Sequence, residues 1–246
     1  MGQCKSIAVV GSSFTLIGKH YGHMIDRHDC VFRTNHAPTQ GFEKDVGRRT
    51  TVRTVGPAIL HMLLNDYKKN GNLMSCKDCE ILQYDKFFAE HHFCKQELCV
   101  FMNKMNAHSI RDTKLLNSLR HVAFIPDIAM RSIFKWQNCL GVDTKKISGG
   151  MATILLARTL TANISAYGFE TGSGCCKNKN QPYRYYESEK SHKKCCSNEL
   201  ETKKEVRAFS RLEKMGVTFF GSNLEIYNLT GKTRKCHIST IGRLER

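Results

Sequence analysis

The sequence predicts one α/β domain built around a mostly parallel sheet. Three observations predict it. Short apolar runs rich in β-branched residues recur along the chain, beginning with IAVV at 7–10. Segments of helical periodicity alternate with them, the most apolar being GMATILLARTLT at 150–161. Small polar residues stand where the strands end, as an open α/β sheet requires of a ligand-binding edge. A chain of 246 residues, 41% hydrophobic, is long enough for one sizeable core. No repeat or low-complexity tract interrupts it, and four prolines leave little material for linkers. The domain is therefore taken as residues 1–246.

The elements follow in order. IAVV is a buried parallel strand with Gly11 as a tight exit, and Ser12 and Ser13 then offer small donors beside the start of a helix. An acidic, His-bearing segment leads to a second strand, CVFRTN, which closes on Asn35. The neutral amide of Asn35 carries both a donor and an acceptor for a base or ribose edge. A loop, APTQGFEKDVG, precedes another β-rich run. Residues 57–70 read as helix, 80–84 and 98–102 as strands, 111–121 as helix, 122–126 as strand and 127–139 as helix. Ser148-Gly149-Gly150 opens the apolar helix at 150–161, with a capping hydroxyl and bare backbone N–H groups. Residues 163–169 form a strand. The stretch 171–198 is a basic, Cys-rich loop around YRYYE at 183–187. A charged amphipathic helix at 201–215 and a strand at 217–220 complete the series.

Composition narrows the partners without choosing among them. The net charge is +16, with 38 basic against 22 acidic residues and a pI near 9.4. Such a surface suits nucleotides, nucleic acid, acidic glycans or lipid headgroups. Its denser basic stretches, at 177–184, 190–194 and 203–214, read as solvated loops and helix faces rather than a nucleic-acid surface. Twelve cysteines point to an oxidising compartment. Cys175-Cys176, Cys195-Cys196, Cys76-x2-Cys79 and Cys94-x4-Cys99 read as disulfides or free thiols before zinc, because no paired His completes a finger. No run of about 18 apolar residues would span a bilayer, and no signal peptide is expected ahead of the first strand. MGQCKS fits a myristoylation pattern at Gly2 beside Cys4, or is simply where the chain starts. Of two N-x-[ST] sequons, the one at Asn163 is expected in a buried strand and unused, and the one at Asn228 in a loop.

Several constellations carry chemistry. The Ser148-Gly149-Gly150 start is an anion cradle or an ordinary capped core helix. In YRYYE, Tyr185 and its neighbours can stack on a base or sugar, and Arg184 can pair with a phosphate; a packed loop is the alternative. His192, among Lys and Cys, has the ring chemistry of a general base. No DxD pair is present to hold a metal against a nucleotide diphosphate, so sugar transfer here would be metal-independent.

Taken in order, these pieces resemble the animal sialyltransferases, particularly the branch adding α2,6-linked sialic acid to N-acetylgalactosamine. The family's large motif is matched by Tyr21-Gly22-His23-Met24-Ile25-Asp26, His28-Asp29, Arg33-Thr34-Asn35, Ala37-Pro38-Thr39, Gly41-Phe42 and Asp45-Val46-Gly47. ISGGMATILLARTLTANISAYGF resembles the small motif, YRYYE the third, and EVRAFSRLEKMGVTFF the close of the last. The resemblance implies a single Rossmann-like domain, a GT-A-like sialyltransferase variant. It implies metal-free, inverting transfer of sialic acid from CMP-sialic acid to a glycan hydroxyl, on a GalNAc or ganglioside-type acceptor. No cofactor beyond that donor substrate is implied. It places Ser12, Ser13 and Asn35 on cytidine and ribose, and Ser148, Gly149 and Gly150 at the phosphate. The implied partners are CMP-sialic acid and a glycoprotein or glycolipid, not nucleic acid. The implied place is the Golgi lumen, with an N-terminal anchor and stem expected to lie outside residues 1–246.

The match has departures. Ser12 and Arg184 stand where the family usually has Asn and His. The last motif's His, five residues before a Glu, is Leu200 if Glu205 is that Glu, which leaves His192 as the candidate base. The family's disulfide between large and small motifs falls on Ile7 and Thr161. The expected activity is therefore weakened, and the alternative is a catalytically impaired relative that binds CMP or glycan without turnover. A basic nucleic-acid or zinc-binding protein ranks last.

Overall fold

A computed structural model describes residues 4–56, 98–101, 122–125, 127–142, 148–169, 182–187 and 199–221. Among the described residues seven strands form one sheet: β1 (Ile7–Val10), β2 (Cys30–Thr34), β3 (Val52–Val55), β4 (Leu98–Phe101), β5 (Val122–Phe124), β6 (Ile164–Tyr167) and β7 (Val217–Phe220). Their order is β5-β4-β3-β2-β1-β6-β7, and every pairing is parallel. The helices are α1 (Gly22–Asp26), α2 (Glu43–Val46), α3 (Asp127–Cys139), α4 (Gly149–Leu160) and α5 (Glu199–Lys214), with a 3-10 turn at Phe14–Leu16.

Parallel strands covered on both faces need apolar residues at every position, and β1 is buried throughout. Ile7 and Val9 join a core with α3, α4 and α5. Ala8 and Val10 face the other way, against Leu16, Ile25, Val46 and Tyr185. Helix α3 buries Ala129, Ile133 and Trp136 at helical spacing, with Leu140 continuing the stripe beyond its end. Helix α4 is apolar all round because it lies in the middle of the core, with eight of its residues buried.

The strand order positions the site. From β1 the sheet grows outward through β2 to β5, and the chain then returns to place β6 on the other side of β1. The carboxyl ends of β1 and β6 are thus a topological switch point, where the connections diverge and leave a crevice.

Two expectations are corrected. The loop expected before the third strand contains a helical turn, α2, whose Glu43 and Asp45 favour its start. Asn163 is exposed, because β6 begins only at Ile164. The helices at 57–70 and 111–121, the strand at 80–84, the Asn228 sequon and the paired cysteines at 76, 79, 94, 175, 176, 195 and 196 lie outside the described residues. Cys4 and Cys30 form a disulfide, and Cys99 and Cys139 are also disulfide-bonded. Among the described residues no helix is long and apolar enough to cross a membrane.

Candidate active site

Two glycines bring the strand ends together. A Cβ on Gly11 would lie 2.5 Å from the Gly168 carbonyl oxygen, and one on Gly168 would strike Leu16 at the same distance. Only bare backbone lets the exits of β1 and β6 approach this closely. The result is a crevice of about 220 Å³. One wall is Gly11, Ser12 and Ser13; a second is Thr34 and Asn35; a third is the start of α4 at Ser148, Gly149 and Gly150. Gly168, Phe169, Phe209, Tyr183 and Arg184 close the rest.

The hydroxyls of Ser13 and Ser148 do structural work at the rim. Ser13 caps the 3-10 turn, accepting from the Thr15 amide at 3.3 Å and the Thr15 hydroxyl at 3.0 Å. Ser148 caps α4, accepting from the Met151 amide at 3.2 Å. Helix α4 therefore presents its first-turn backbone N–H groups and the positive end of its dipole at the crevice.

Asn35 is set by four contacts. Its φ is +52°, in the left-handed region that Asn tolerates better than most residues. Its amide donates to Thr54 O at 2.7 Å, and its carbonyl accepts from the Arg53 guanidinium at 2.8 Å. Its Oδ1 accepts from the Gly56 amide at 2.9 Å. Its Nδ2 packs beside Gly149, 3.4 Å from where a Cβ on that glycine would sit. The Gly56 N–H can only donate, so Oδ1 is committed to it. Asn35 therefore turns a donor toward the α4 end of the crevice, where its sequence offered both a donor and an acceptor.

Arg184 reaches the crevice because the 182–187 segment docks on β1's exit. Ser13 and Arg184 form an isolated antiparallel bridge, and the Tyr185 amide donates to Ser12 O at 3.1 Å. The Arg184 guanidinium donates to the Tyr186 hydroxyl at 3.1 Å and lies 3.6 Å from the Glu187 carboxylate. The crevice thus gathers an amide donor, a helix N-terminus and a guanidinium, which suits an anion.

Seven of the eight sequence-predicted nucleotide residues meet in this crevice: Ser12, Ser13, Asn35, Ser148, Gly149, Gly150 and Arg184. Tyr185 does not line it. Alternation along the docked segment turns Tyr185 inward, 5% exposed, with its hydroxyl donating to Pro38 O and its ring 4.9 Å from Phe42. Burial pushes its hydroxyl up to about 12, against the pull of Arg33 and Arg53. Its neighbour Tyr183 takes the lining position. His192 lies outside the described residues. Sequence reasoning missed Thr34, Gly168, Phe169 and Phe209. The glycine ending NISAYG was a signal for Gly168 and Phe169, since β6 is the other strand of the switch point; nothing local marks Phe209.

The acidic residues of the first matched stretch are scaffold. Asp26 accepts from the amides of Arg48 and Arg49 at 2.9 and 3.0 Å. Asp45 accepts from Gly18 and His20 at 3.0 and 2.8 Å, and Asp29 from the Ser6 amide and hydroxyl. Buried Arg33 donates to the carbonyls of Val46 and Arg49. Together they fix the loop whose base is Asn35.

The sequence model described as glycosyltransferase family 29 (sialyltransferase) matches residues 1–217. A human alpha-N-acetyl-neuraminyl-2,3-beta-galactosyl-1,3-N-acetyl-galactosaminide alpha-2,6-sialyltransferase is 29% identical over 190 residues, 75% of this chain and 60% of the relative. A beta-1,6-galactosyltransferase of Arabidopsis thaliana is 26% identical over 173 residues, 67% of this chain and 42% of its own. A crystal structure of a mammalian sialyltransferase superposes with a TM-score of 0.58 at 18% identity, covering 89% of this chain and 70% of that one. The chain spans 60% of the length of the human relative.

Proposed function

The chain belongs to glycosyltransferase family 29 (sialyltransferase), and on that premise we propose that it transfers sialic acid from CMP-sialic acid to a glycan hydroxyl, on a GalNAc or ganglioside-type acceptor. The observation carrying the reading is the convergence of the α4 N-terminus, the Asn35 Nδ2 and Arg184 on one crevice. In the reaction the acceptor oxygen bonds to the anomeric carbon from the face opposite CMP, which inverts that centre. The bond from that carbon to the CMP phosphate oxygen breaks, and CMP leaves with the electron pair. Charge therefore grows on the phosphate, where fixed donors stabilise it most. The acceptor's proton passes to a base, a role this proposal gives to His192 on sequence grounds. Arg184 and the helix end supply positive charge, and on this reading transfer needs no metal.

The disulfides fit an oxidising compartment, and the proposed site of action is the Golgi lumen, membrane-associated in a longer protein. The test is incubation with CMP-sialic acid and a glycan panel in EDTA, read by mass spectrometry, with UDP-galactose as a parallel donor because of the plant relative. Sialylated product that disappears in His192→Ala supports the whole reading. CMP binding without product in any arm would instead identify a binder, and product only from UDP-galactose would overturn the donor.

A further inference from the structure

Arg184 is anchored by a relay that crosses 150 positions of sequence. Its guanidinium donates to the Tyr186 hydroxyl at 3.1 Å, and that oxygen lies 2.9 Å from Nε2 of His36. His36 is 2% exposed, and its ring meets Tyr186 edge-on at 5.2 Å. The Arg53 guanidinium donates to the carbonyls of Asn35 and Ala37, the two neighbours of His36 in the chain.

We propose that His36 is a positioning residue, a neutral imidazole whose Nε2 accepts the Tyr186 proton so that Tyr186 can hold Arg184 against the anion in the crevice. A guanidinium has only protons to give, so the Tyr186 oxygen is the acceptor in its bond to Arg184. On this proposal the Tyr186 proton goes onward to His36, whose ring is then the Nδ1–H tautomer. A hydroxyl that donates to one partner becomes a better acceptor for the next. An arginine side chain has much rotamer freedom to lose, and the relay restricts it before the ligand arrives. This inference rests on reading the crevice as a nucleotide site.

Calorimetric titration with CMP and with cytidine tests it on wild type, Arg184→Ala, Tyr186→Phe, His36→Ala and His36→Gln. Tyr186→Phe and His36→Ala are expected to weaken CMP about tenfold, the scale of one hydrogen bond to a charged group, and to spare cytidine. His36→Gln, whose terminal oxygen can accept in place of Nε2, is expected to recover most of the loss. Tyr186→Phe added to Arg184→Ala should cost nothing more. Equal losses for cytidine and CMP, or additive losses in the double variant, would overturn the proposal. Nitrogen-15 shifts of His36 give a readout free of nucleotide. An unprotonated Nε2 in wild type supports the relay even if CMP fails to bind, an outcome that removes the nucleotide reading alone. A protonated Nε2 with CMP bound removes the relay alone.

Discussion

Asn35 shows how much one side chain's surroundings decide. Its Oδ1 is held by the Gly56 amide and its carbonyl by Arg53, so only Nδ2 remains to address a ligand oxygen. Asn35→Ala is expected to weaken CMP about tenfold to a hundredfold, as loss of a hydrogen bond to a charged group does. Asn35→Asp, nearly the same shape, is expected to be worse, because a carboxylate replaces the donor and faces an anion. Titration calorimetry on the two variants checks the order. The sequence marked Asn35 by its place at a strand end, but the direction of its amide depends on Gly56, beyond the next strand. Tyr185 lies off the crevice for a related reason. Three tyrosines in YRYYE are chemically alike, and only docking of Arg184 against Ser13 decides which ones face inward. Periodicity could not supply that phase in a segment with no regular structure.

At the scale of elements, strong local signals survived folding unchanged. Helix α4 was legible from its apolar run and its Ser-Gly-Gly start, and Ser148 is its cap. Strand β7 was legible from VTFF. The short α2 was not, because a single turn has no periodicity to read. The end of α4 is tied to the chain before β1 by a hydrogen bond: the Thr161 hydroxyl donates to Lys5 O at 2.9 Å, while Cys4 bonds Cys30. The covalent bond thus joins the chain just before β1 to β2. Cys4→Ser with Cys30→Ser is expected to lower stability by about 3.5 kcal/mol, from the chain entropy of a loop of this length. Denaturant unfolding of the variant beside wild type measures it.

Across the whole molecule, the sheet order makes the crevice and the matched acids hold its frame. Burial opposes the Asp45 carboxylate, yet the amides of Gly18 and His20 and the charges of His20 and Lys44 hold it below its ordinary 3.8. A carboxylate lowered in the folded state stabilises fully above that ordinary value and loses the contribution as pH falls through the lowered one. Asp45→Asn should therefore be less stable than wild type at neutral pH and converge with it below about pH 4, as thermal melts across that range would show. The fold was legible because short apolar strands recur along the chain with helical segments among them. The catalytic half was less legible, because a base is defined by what surrounds it in space. Hydrogen exchange with and without CMP tests the central claim most directly. The account predicts slowed exchange in peptides covering 11–16, 148–152 and 183–187. CMP bound with those peptides unchanged, and protection elsewhere, would contradict it.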